Sequence, residues 1–435
     1  MRKLLLVIFM LPMLLQAQTL EECQQAAERN YPLIRQYDLI SRTTSLTVEN
    51  IAKGWLPQVT ASAQATLQSD VVSWPEQMKG MYQQLGIDMK GLRKDQYKVA
   101  IDVSQMVYDG GTIRSQKELA QLQGAVEEAQ TEVSMYQVRK QVNEMYFALL
   151  LLDEQIRLNN DLQELLSSNE RKLASMLKRG TAAESDYNAV KAERLGVCQQ
   201  ATNLQSQRQS LLTLLSTFCG IQVSKVEKPA ALVTSPTQPT QRPELKLVQA
   251  QLNFADAQEK LLDAALKPRL SVFASGFYGY PGYNMFEDMM NRNWSLNGIV
   301  GARLSWNIGA LYTRKNDKTK IQLQRDRAIN NRDVFLFNNR LDMVRQQNDM
   351  DRHRKLMAVD EEMISLRSSV RKAAESKLAH GIIDVNGLVK VINAENAARV
   401  QLSVHEIEML KEMYNLIFTT NSALSHPVTS SHNNP

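Results

Sequence analysis

Apolar residues recur every three or four positions through residues 112–178, which predicts an α-helix, and residues 312–380 form a second long stretch that nothing interrupts. Gly124 is the single glycine of the first stretch, the second has none, and neither contains a proline. Nothing therefore interrupts a helix for about 67 residues in either stretch. At 1.5 Å per residue each helix would be about 100 Å long, which far exceeds the size of a compact domain.

The heptad pattern of the first stretch changes phase partway along. Its apolar positions are Leu119, Leu122, Val126, Ala129, Val133 and Tyr136, followed by Val138, Val142, Met145, Leu149, Leu152 and Ile156. More than one face of this helix is therefore apolar, so it needs neighbours on two sides. A closed ring of helices supplies them, whereas a two-stranded coiled coil would leave one apolar face in water.

Each long stretch ends at a glycine, Gly180 or Gly381, and a second helical pattern of about 36 residues follows it. The chain must turn and run back at these glycines, so the pattern predicts two antiparallel helical hairpins. Two shorter helical patterns precede the strand regions, at residues 20–53 and 243–267. Stacked end to end with the returning helix, each would complete a second column in its half of the chain.

Four shorter segments alternate apolar and polar residues with period two, which is typical of β-strands with one apolar face. They begin near Gln58, Tyr97, Leu270 and Trp294, and Phe273, Phe277 and Ile299 break the alternation. Trp294 and Trp306 share the apolar face about 12 residues apart, so a strand tilted by about 45° would place one at each membrane interface. We therefore expect lipid-facing strands, although strands of a soluble sheet would alternate in the same way.

Four strands cannot close a barrel, and a barrel of about eight strands would be filled by its own side chains. The Ser, Thr, Gln, Asn and Arg residues of the polar face indicate water inside a wider ring. The predicted fold class is therefore mixed. Long antiparallel α-helical hairpins form an α-barrel, and each protomer adds four transmembrane β-strands to a trimeric barrel of about 12 strands.

The two halves of the chain follow the same plan. An offset of 201 positions places Ser104 on Ser305, Gly180 on Gly381 and Leu215 on Leu416, which indicates an internal duplication. The predicted division is a signal peptide at 1–17, a first repeat at 18–222, a linker at 223–241, a second repeat at 242–424 and a disordered tail at 425–435.

The N-terminus has the layout of a secretory signal peptide, with Arg2 and Lys3 followed by an apolar run that is too short to span a bilayer. Cleavage near Ala17 would leave Gln18 first. Cys23 has no lipobox-like residues before it, so no lipid anchor is expected. The formal net charge of +5, or +3 after removal of Arg2 and Lys3 with the signal, gives no support to nucleic-acid binding.

The chain contains three cysteines, Cys23, Cys198 and Cys219. Free thiols are the favoured interpretation, with one disulfide as the alternative. The five histidines are scattered, and none has a cysteine or an acidic partner at metal-ligand spacing. We therefore predict no metal, no cofactor and no enzymatic activity.

The order of motifs resembles that of the TolC family of outer-membrane efflux proteins over nearly the whole mature chain. The motifs are WLPQVTAS, QMVYDGG, KRGTAAESDYNAVKAE, RPELKLVQAQLNFADAQ, LKPRLSVFASG, KLAHGIIDVNGL and YNLIF. The resemblance implies a homotrimer in outer-membrane lipid that extends into the periplasm. It also implies a periplasmic adaptor joined to an inner-membrane pump of the RND, ABC or MFS type. Drug, metal and polypeptide exporters share this plan, so the cargo stays open.

The resemblance also implies where the adaptor docks. The family's contacts at the two hairpin tips match Arg179, Gly180, Thr181 and Ala182 in the first hairpin, and His380, Gly381, Ile382 and Ile383 in the second. Some members narrow the tunnel with acidic residues at positions that here hold Gly387 and Lys390, so that acidic ring is absent. Asp384 and Lys390 are the candidate aperture charges, with solvated helix charges as the alternative.

The functional prediction is a passive exit duct whose energy comes from the pump, in an efflux or type I secretion system. A periplasmic coiled-coil adaptor or structural protein without a pore is the alternative. Adaptors have one hairpin between lipoyl-like and barrel sequences, whereas this chain has two hairpins without such flanks. An outer-membrane enzyme would need more strands per chain and a motif that carries a nucleophile.

Overall fold

The structure is a computed structural model that describes residues 17–231 and 240–421. The predicted signal peptide, apart from Ala17, and the predicted tail at 425–435 lie outside the described residues. The middle of the predicted linker, residues 232–239, lies outside them as well.

The described chain is mostly helical, with one small antiparallel sheet. Its helices are α1 Leu20–Asn30, α2 Arg35–Ala52, α3 Glu76–Gln84, α4 Thr112–Lys178, α5 Glu184–Cys219, α6 Pro243–Ala265, α7 Met285–Asn291, α8 Leu311–Ala379 and α9 Val385–Thr420. Its strands are β1 Gln58–Leu67, β2 Asp95–Tyr108, β3 Arg269–Tyr280 and β4 Ser295–Ser305. Among the described residues, no helix is both long and apolar enough to cross a lipid bilayer.

The two long helices agree closely with the sequence pattern. Helix α4 has the predicted limits, and α8 begins and ends one residue earlier than predicted. The single helical pattern over residues 20–53 is divided in two, because the backbone of Tyr31 is extended (ψ 128°) before Pro32. Proline disfavours the helical conformation of the residue before it, so the chain leaves α1 here and re-enters a helix at α2.

The four strands form one antiparallel sheet in the order β1-β2-β3-β4. The register places residues of neighbouring strands side by side, so that each row across the sheet contains one residue from each strand. Val59 pairs with Val103, Val103 with Ala274, and Ala274 with Val300. Because side chains alternate between the two faces of a strand, this apolar row and its neighbours two residues away lie on the same face of the sheet.

The chain divides into two compact units. Among the described residues, unit 1 comprises 17–38, 129–231, 240–247 and 330–421, and unit 2 comprises 39–128 and 248–329. Each unit draws on both halves of the sequence. Unit 1 contains both helical hairpins, α4–α5 and α8–α9, over the ranges given, and unit 2 contains the sheet.

Unit 1 has two apolar clusters. The larger one surrounds Tyr146, Phe147 and Leu149 of α4, which are at most 1% exposed. In this part of α4, buried residues cover about half of the helix circumference, which is wider than a single heptad stripe, whereas Gln141, Glu144 and Ala148 are exposed on the other side. The smaller cluster joins the two hairpins near their turns and includes Leu173 and Leu388.

Candidate docking tips and sheet surface

The first hairpin turn lies between α4 and α5. The N–H of Thr181 donates to the carbonyl of Met176 at 2.9 Å, and the N–H of Gly180 donates to that of Leu177 at 3.0 Å. These two bonds define a Schellman turn, in which the residue after the helix takes a left-handed conformation. Gly180 has φ +70°, which favours glycine because a Cβ atom would be strained there.

The second hairpin turn, between α8 and α9, has the same geometry 201 positions later. The N–H of Ile382 donates to the carbonyl of Lys377 at 2.9 Å, and Gly381 (φ +69°) donates to that of Leu378 at 3.0 Å. Both tip glycines are therefore helix caps as well as candidate docking residues. The same hydrogen bonds in both halves are consistent with the internal duplication.

The predicted docking residues differ in exposure. Arg179, Gly180, Thr181, His380, Gly381 and Ile382 are exposed. Ala182 and Ile383 are half-buried and pack against the smaller apolar cluster. Ile382 is the largest exposed apolar side chain of the two turns, with 69% of its surface accessible. An exposed apolar residue at a turn is a natural anchor for a protein partner.

The two turns border one open cleft of about 1140 Å³ within unit 1. Its lining includes Met176, Arg179 and Asp186 from the first hairpin and Ile382, Ile383 and Asp384 from the second. Basic, acidic and apolar groups are all represented. The structure thus brings the two predicted tips together into one mixed surface.

The candidate aperture residues lie at the start of α9. Asp384 is the N-cap, and its carboxylate accepts a hydrogen bond from the N–H of Gly387 at 2.9 Å. A Cβ atom on Gly387 would lie 3.0 Å from that carboxylate oxygen, so a larger residue would crowd the cap. Lys390 is exposed one turn further on. The carboxylate of Asp384 therefore has a structural role as the N-cap of α9.

An ion pair between the two helices braces each hairpin behind its tip. In the first hairpin, Arg194 lies 2.5 Å from Glu170. In the second, Arg371 lies 2.5 Å from Glu395, which also binds Arg399 at 2.7 Å. The offset of 201 places Glu170 on Arg371 and Arg194 on Glu395, so the second pair has reversed polarity. These pairs were not predicted from the sequence, although opposite charges at matched positions are a visible signal.

Glu395 is the most deeply buried of these acids, with 5% of its side chain exposed. Burial alone would raise its pKa, but hydrogen bonds from Arg399 and Arg371 outweigh burial, and the pKa lies below its usual value of 4.5. The carboxylate is therefore charged in the folded protein at neutral pH. Its stabilising contribution is complete above about pH 4.5 and is lost as the pH falls through the folded-state pKa.

Glu395→Gln is expected to lower the free energy of unfolding by about 3 kcal/mol at neutral pH, because it leaves two arginines without their shared carboxylate. Glu170→Gln is the matched variant and should cost less, since Glu170 is more exposed and faces one arginine. Denaturant unfolding followed by circular dichroism measures both. The Glu395→Gln deficit should shrink as the pH is lowered below 4.5; a deficit that does not change with pH contradicts the assignment.

One face of the sheet is apolar and exposed across all four strands. A row of this face runs Ala63, Val99, Tyr278 and Leu296, and the next rows follow the same pattern. On β4, Leu296 and Val300 are 81% and 82% exposed, and Leu304 is 70% exposed. Contiguous apolar surface of this kind marks an interaction site with a partner or a lipid phase.

The opposite face is polar, and it explains two of the sequence exceptions. Phe277 lies under the ammonium group of Lys98, 4.3 Å from the ring centroid, and Phe273 lies 5.0 Å from the guanidinium carbon of Arg303. Each aromatic ring is thus covered by a positively charged group, and this group keeps the surface polar where it meets the solvent. Gly301 leaves room for Phe273, because a Cβ atom there would lie 2.7 Å from the ring.

The two predicted interface tryptophans flank β4 directly. Trp294 precedes the strand and stacks on Tyr97 with a centroid distance of 5.8 Å. Trp306 follows the strand, and its indole N–H donates to the carbonyl of Leu266 at 2.9 Å. Both are partly exposed. The distance between them along an extended chain is about 40 Å, enough for a strongly tilted strand to span a hydrocarbon layer.

The short helices α3 and α7, in the loops between paired strands, were not predicted from the sequence. Leu92, Tyr280 and Met289 form a small buried cluster with these loops. The ring of Trp74 lies 5.2 Å from that of Phe286. This packing holds both loops against the same end of the sheet.

A histidine pair outside the predicted sites was also missed. Nδ1 of His405 lies 2.6 Å from a carboxylate oxygen of Asp360, and the ring of His353 lies 5.6 Å from that of His405. The two helices that carry them meet only in the folded hairpin. Within the described ranges, no group of three or more His, Cys, Asp or Glu side chains is placed to hold a metal ion.

The fold is that of outer-membrane channels. The outer-membrane channel OprN shares 15% identity over 93% of this chain and 90% of its own, with a TM-score of 0.65. VceC from Vibrio cholerae shares 12% identity over 93% and 97%, with a TM-score of 0.65. The open state of MtrE from Neisseria gonorrhoeae shares 13% identity over 92% and 88%, with a TM-score of 0.62. The sequence matches no family model and no curated protein.

These likenesses extend over nearly the whole chain, so they concern its complete architecture rather than one segment. They confirm, at the level of the fold, the resemblance to the TolC-like outer-membrane efflux proteins. OprN, CmeC from Campylobacter jejuni and MtrE, three of the solved structures that it resembles, are outer-membrane channels.

Proposed function

We propose that this protein is the outer-membrane channel of a tripartite efflux or type I secretion system, a passive exit duct for small molecules or polypeptides. The exposed apolar face that crosses all four strands carries the proposal. On a chain with the fold of outer-membrane channels, such a face is explained by contact with the hydrocarbon of the outer membrane. The polar face, with its Ser, Thr, Gln and Arg side chains, then lines water.

The sheet also supports a homotrimer. In the described sheet β1 and β4 are edge strands, and each pairs on one side. Edge strands leave backbone groups unpaired, which is costly in lipid. Pairing β1 of one copy with β4 of the next removes every edge and gives a ring of about 12 strands from three copies.

Helix α8 supports the same assembly within unit 1. Val334, Phe337, Leu341 and Val344 follow three-four spacing, and each is about half exposed or more. This group, which we call the α8 stripe, faces away from the buried side of the helix at Asn339 and Gln346. Such a stripe fits a helix of a second copy of this chain. The hairpins of three copies would then surround a periplasmic tunnel.

The remaining sequence predictions enter the proposal unchanged. Residues 1–17 direct export, residues 18–222 and 242–424 are the two repeats, and residues 223–241 link them. The tips dock a periplasmic adaptor, itself joined to an inner-membrane pump. Asp384 and Lys390 lie at the periplasmic aperture, where Gly387 replaces an acidic residue. Trp294 and Trp306 lie at the two membrane interfaces.

The decisive experiment is extraction from outer membranes followed by conductance in planar lipid films. The proposal expects a detergent-stable trimer that dissociates on heating before electrophoresis and forms ion-conducting pores. Chemical crosslinking of the extracted protein should stop at three copies. A soluble monomer without conductance would instead support the periplasmic adaptor or structural protein without a pore.

Docking at the tips is expected to depend on Ile382. Ile382→Glu places a charge at the most exposed apolar position of the second turn, so crosslinking to the adaptor in cells should fall at least about tenfold. The adaptor is recognised by mass spectrometry as a protein with one hairpin between lipoyl-like and barrel domains.

Ser376→Glu is the matched control for Ile382→Glu, since it adds the same charge at an exposed position of α8 just before the turn. It should keep most of the crosslinking. Both variants should remain trimers on unheated gels. Equal crosslinking by Ile382→Glu and the unaltered protein would exclude this residue from the docking surface.

A further inference from the structure

Two of the three cysteines lie together in the core of unit 1. Cys23 is in α1, and Cys219 is the last residue of α5. They are 0% and 2% exposed. Both are free thiols in the structure, and the Sγ atom of Cys219 lies 3.4 Å from the backbone carbonyl oxygen of Cys23. Cysteines almost 200 positions apart in sequence are thus neighbours in the core.

Contacts that do not involve sulfur hold these two helix segments in register. The side-chain amide of Asn30 donates to the carbonyls of Thr217 and Phe218, both at 3.2 Å. The ring of Tyr31 lies 5.5 Å from that of Phe218. Gly220 (φ +68°) permits this close approach, because a Cβ atom there would lie 2.4 Å from the amide carbon of Asn30. The two thiols therefore meet because the backbone brings them together.

The third cysteine has no thiol partner within reach. Cys198 is also in α5, but 21 residues before Cys219, which is about 32 Å along the helix. Its Sγ atom lies 3.3 Å from the side-chain carbonyl of Gln163. The folded chain thus has one matched pair of cysteines and one single cysteine, which accounts for the odd number.

The paired thiols also differ in acidity. The hydrogen bond between them raises the pKa of Cys23 and lowers that of Cys219. A lowered pKa increases the fraction of thiolate, which is the nucleophile in disulfide exchange.

We propose that Cys23 and Cys219 form an intramolecular disulfide bond in the exported protein, and that Cys198 remains a free thiol. The proposal rests on the proposed outer-membrane location, because disulfides form outside the reducing cytoplasm. The oxidant is a disulfide of the exporting compartment. One cysteine thiolate attacks a sulfur of this oxidant, forms a mixed disulfide and releases one oxidant thiol. The other thiolate then attacks the cysteine sulfur and releases the second oxidant thiol, so that both electrons and both protons leave with the oxidant.

The burial of the pair sets the order of events and the behaviour of the product. An oxidant cannot reach two fully buried sulfurs, so the bond forms while α1 docks on α5 during folding. Once closed, the bond is protected from reductants in the same way. It joins the first helix of the mature chain to the end of the first hairpin and closes a loop of about 200 residues.

The test is a thiol-trapping experiment on cells that express the full chain. Cells are quenched in acid, and outer membranes are isolated from them. The protein in these membranes is denatured, alkylated with N-ethylmaleimide and digested with trypsin. The three cysteines fall on separate tryptic peptides, residues 18–29, 195–208 and 209–225. The expected result is peptide 18–29 linked to peptide 209–225, with the alkyl group on peptide 195–208.

Three variants sharpen the experiment. Cys198→Ser is the control and should keep the linked peptides. Cys23→Ser should leave Cys219 alkylated, and Cys219→Ser should leave Cys23 alkylated. Both of these variants should unfold at a lower temperature than Cys198→Ser. In the unaltered folded protein, a reductant should open the bond only after denaturant is added.

The outcomes separate the disulfide from the proposed function. If the signal peptide is still present, the tryptic peptide that contains Cys23 begins at residue 4, after Lys3. If the signal peptide has been removed near Ala17, that peptide begins at residue 18. If that peptide comes from the outer membrane with both thiols alkylated, the disulfide is overturned while the location stands. A bond from Cys198 to either partner, or a bond between two chains, also overturns it. Full-length protein held in the cytoplasm overturns both.

Discussion

Val300→Arg is expected to prevent stable insertion of the protein into the outer membrane. Val300 is 82% exposed and lies in the row Val59, Val103, Ala274 on the apolar face. An arginine on the lipid side of a barrel costs about 2–4 kcal/mol near the middle of the bilayer, and the proposed trimer would carry the cost three times. The yield of trimer that dissociates only on heating, measured in purified outer membranes, should fall to a small fraction of that of the unaltered protein.

The neighbouring residue gives a matched control. Ile299 belongs to the same strand but lies on the polar face, where it pairs with Ser275, which in turn pairs with Asp102 on the next strand. Ile299→Arg introduces the same charged side chain next to polar groups, so most of the trimer should remain. If both variants insert equally well, the apolar face does not contact lipid, and a soluble sheet becomes the better interpretation.

Val344→Glu is expected to convert the proposed trimer into monomers. Val344 ends the α8 stripe and would be buried against a second copy. Taking a carboxylate out of water without a partner costs several kcal/mol, and each ring would carry three such charges. Light scattering of the detergent-extracted protein and crosslinking on intact membranes both measure the loss of the trimer.

Asn338→Glu is the control for this variant. Asn338 is exposed on the same helix and lies about 80° around the axis from the stripe. Its substitution should leave the trimer intact. A Val344→Glu protein that stays trimeric would show that the stripe is not the contact between copies, whereas loss of the trimer in both variants would indicate a general effect of added charge.

Much of the architecture could be predicted from local signals. The long helices follow from the absence of proline and glycine, and the turns follow from Gly180 and Gly381, whose left-handed conformation is a local property of the chain. The strands follow from period two. The break at Pro32 was equally local, and the prediction of one helical segment there was wrong because the proline within the pattern was not weighed.

The parts that could not be predicted depend on residues far apart in sequence. The loop helices α3 and α7 are stabilised by Trp74 packing on Phe286, a contact between the two halves of the chain. The bond of His405 to Asp360 and the contact of Cys219 with Cys23 require the exact facing of two helices. Spacing within one helix carries no information about such pairs.

The candidate docking tips also combine features that the sequence predicted with features that it did not. The positions of both tips were predicted, and the two turns share the same hydrogen bonds. The roles of Asp384 and Gly387 in capping α9 were not predicted, although an aspartate three residues before a glycine at a helix start fits an N-cap. The ion pairs behind the tips were visible as opposite charges at matched positions, but their meaning depended on the pairing of the helices.

The reversed polarity of those ion pairs has a consequence for how a chain with two similar hairpins folds. Two repeats with similar hairpins can exchange partners, so that α4 pairs with α9 and α8 with α5. Such an exchange would bring Glu170 to Glu395 in one false hairpin and Arg371 to Arg194 in the other. Like charges that face each other in a half-buried position disfavour both false pairings at once. The charges thus favour the pairing of each long helix with the returning helix of its own hairpin.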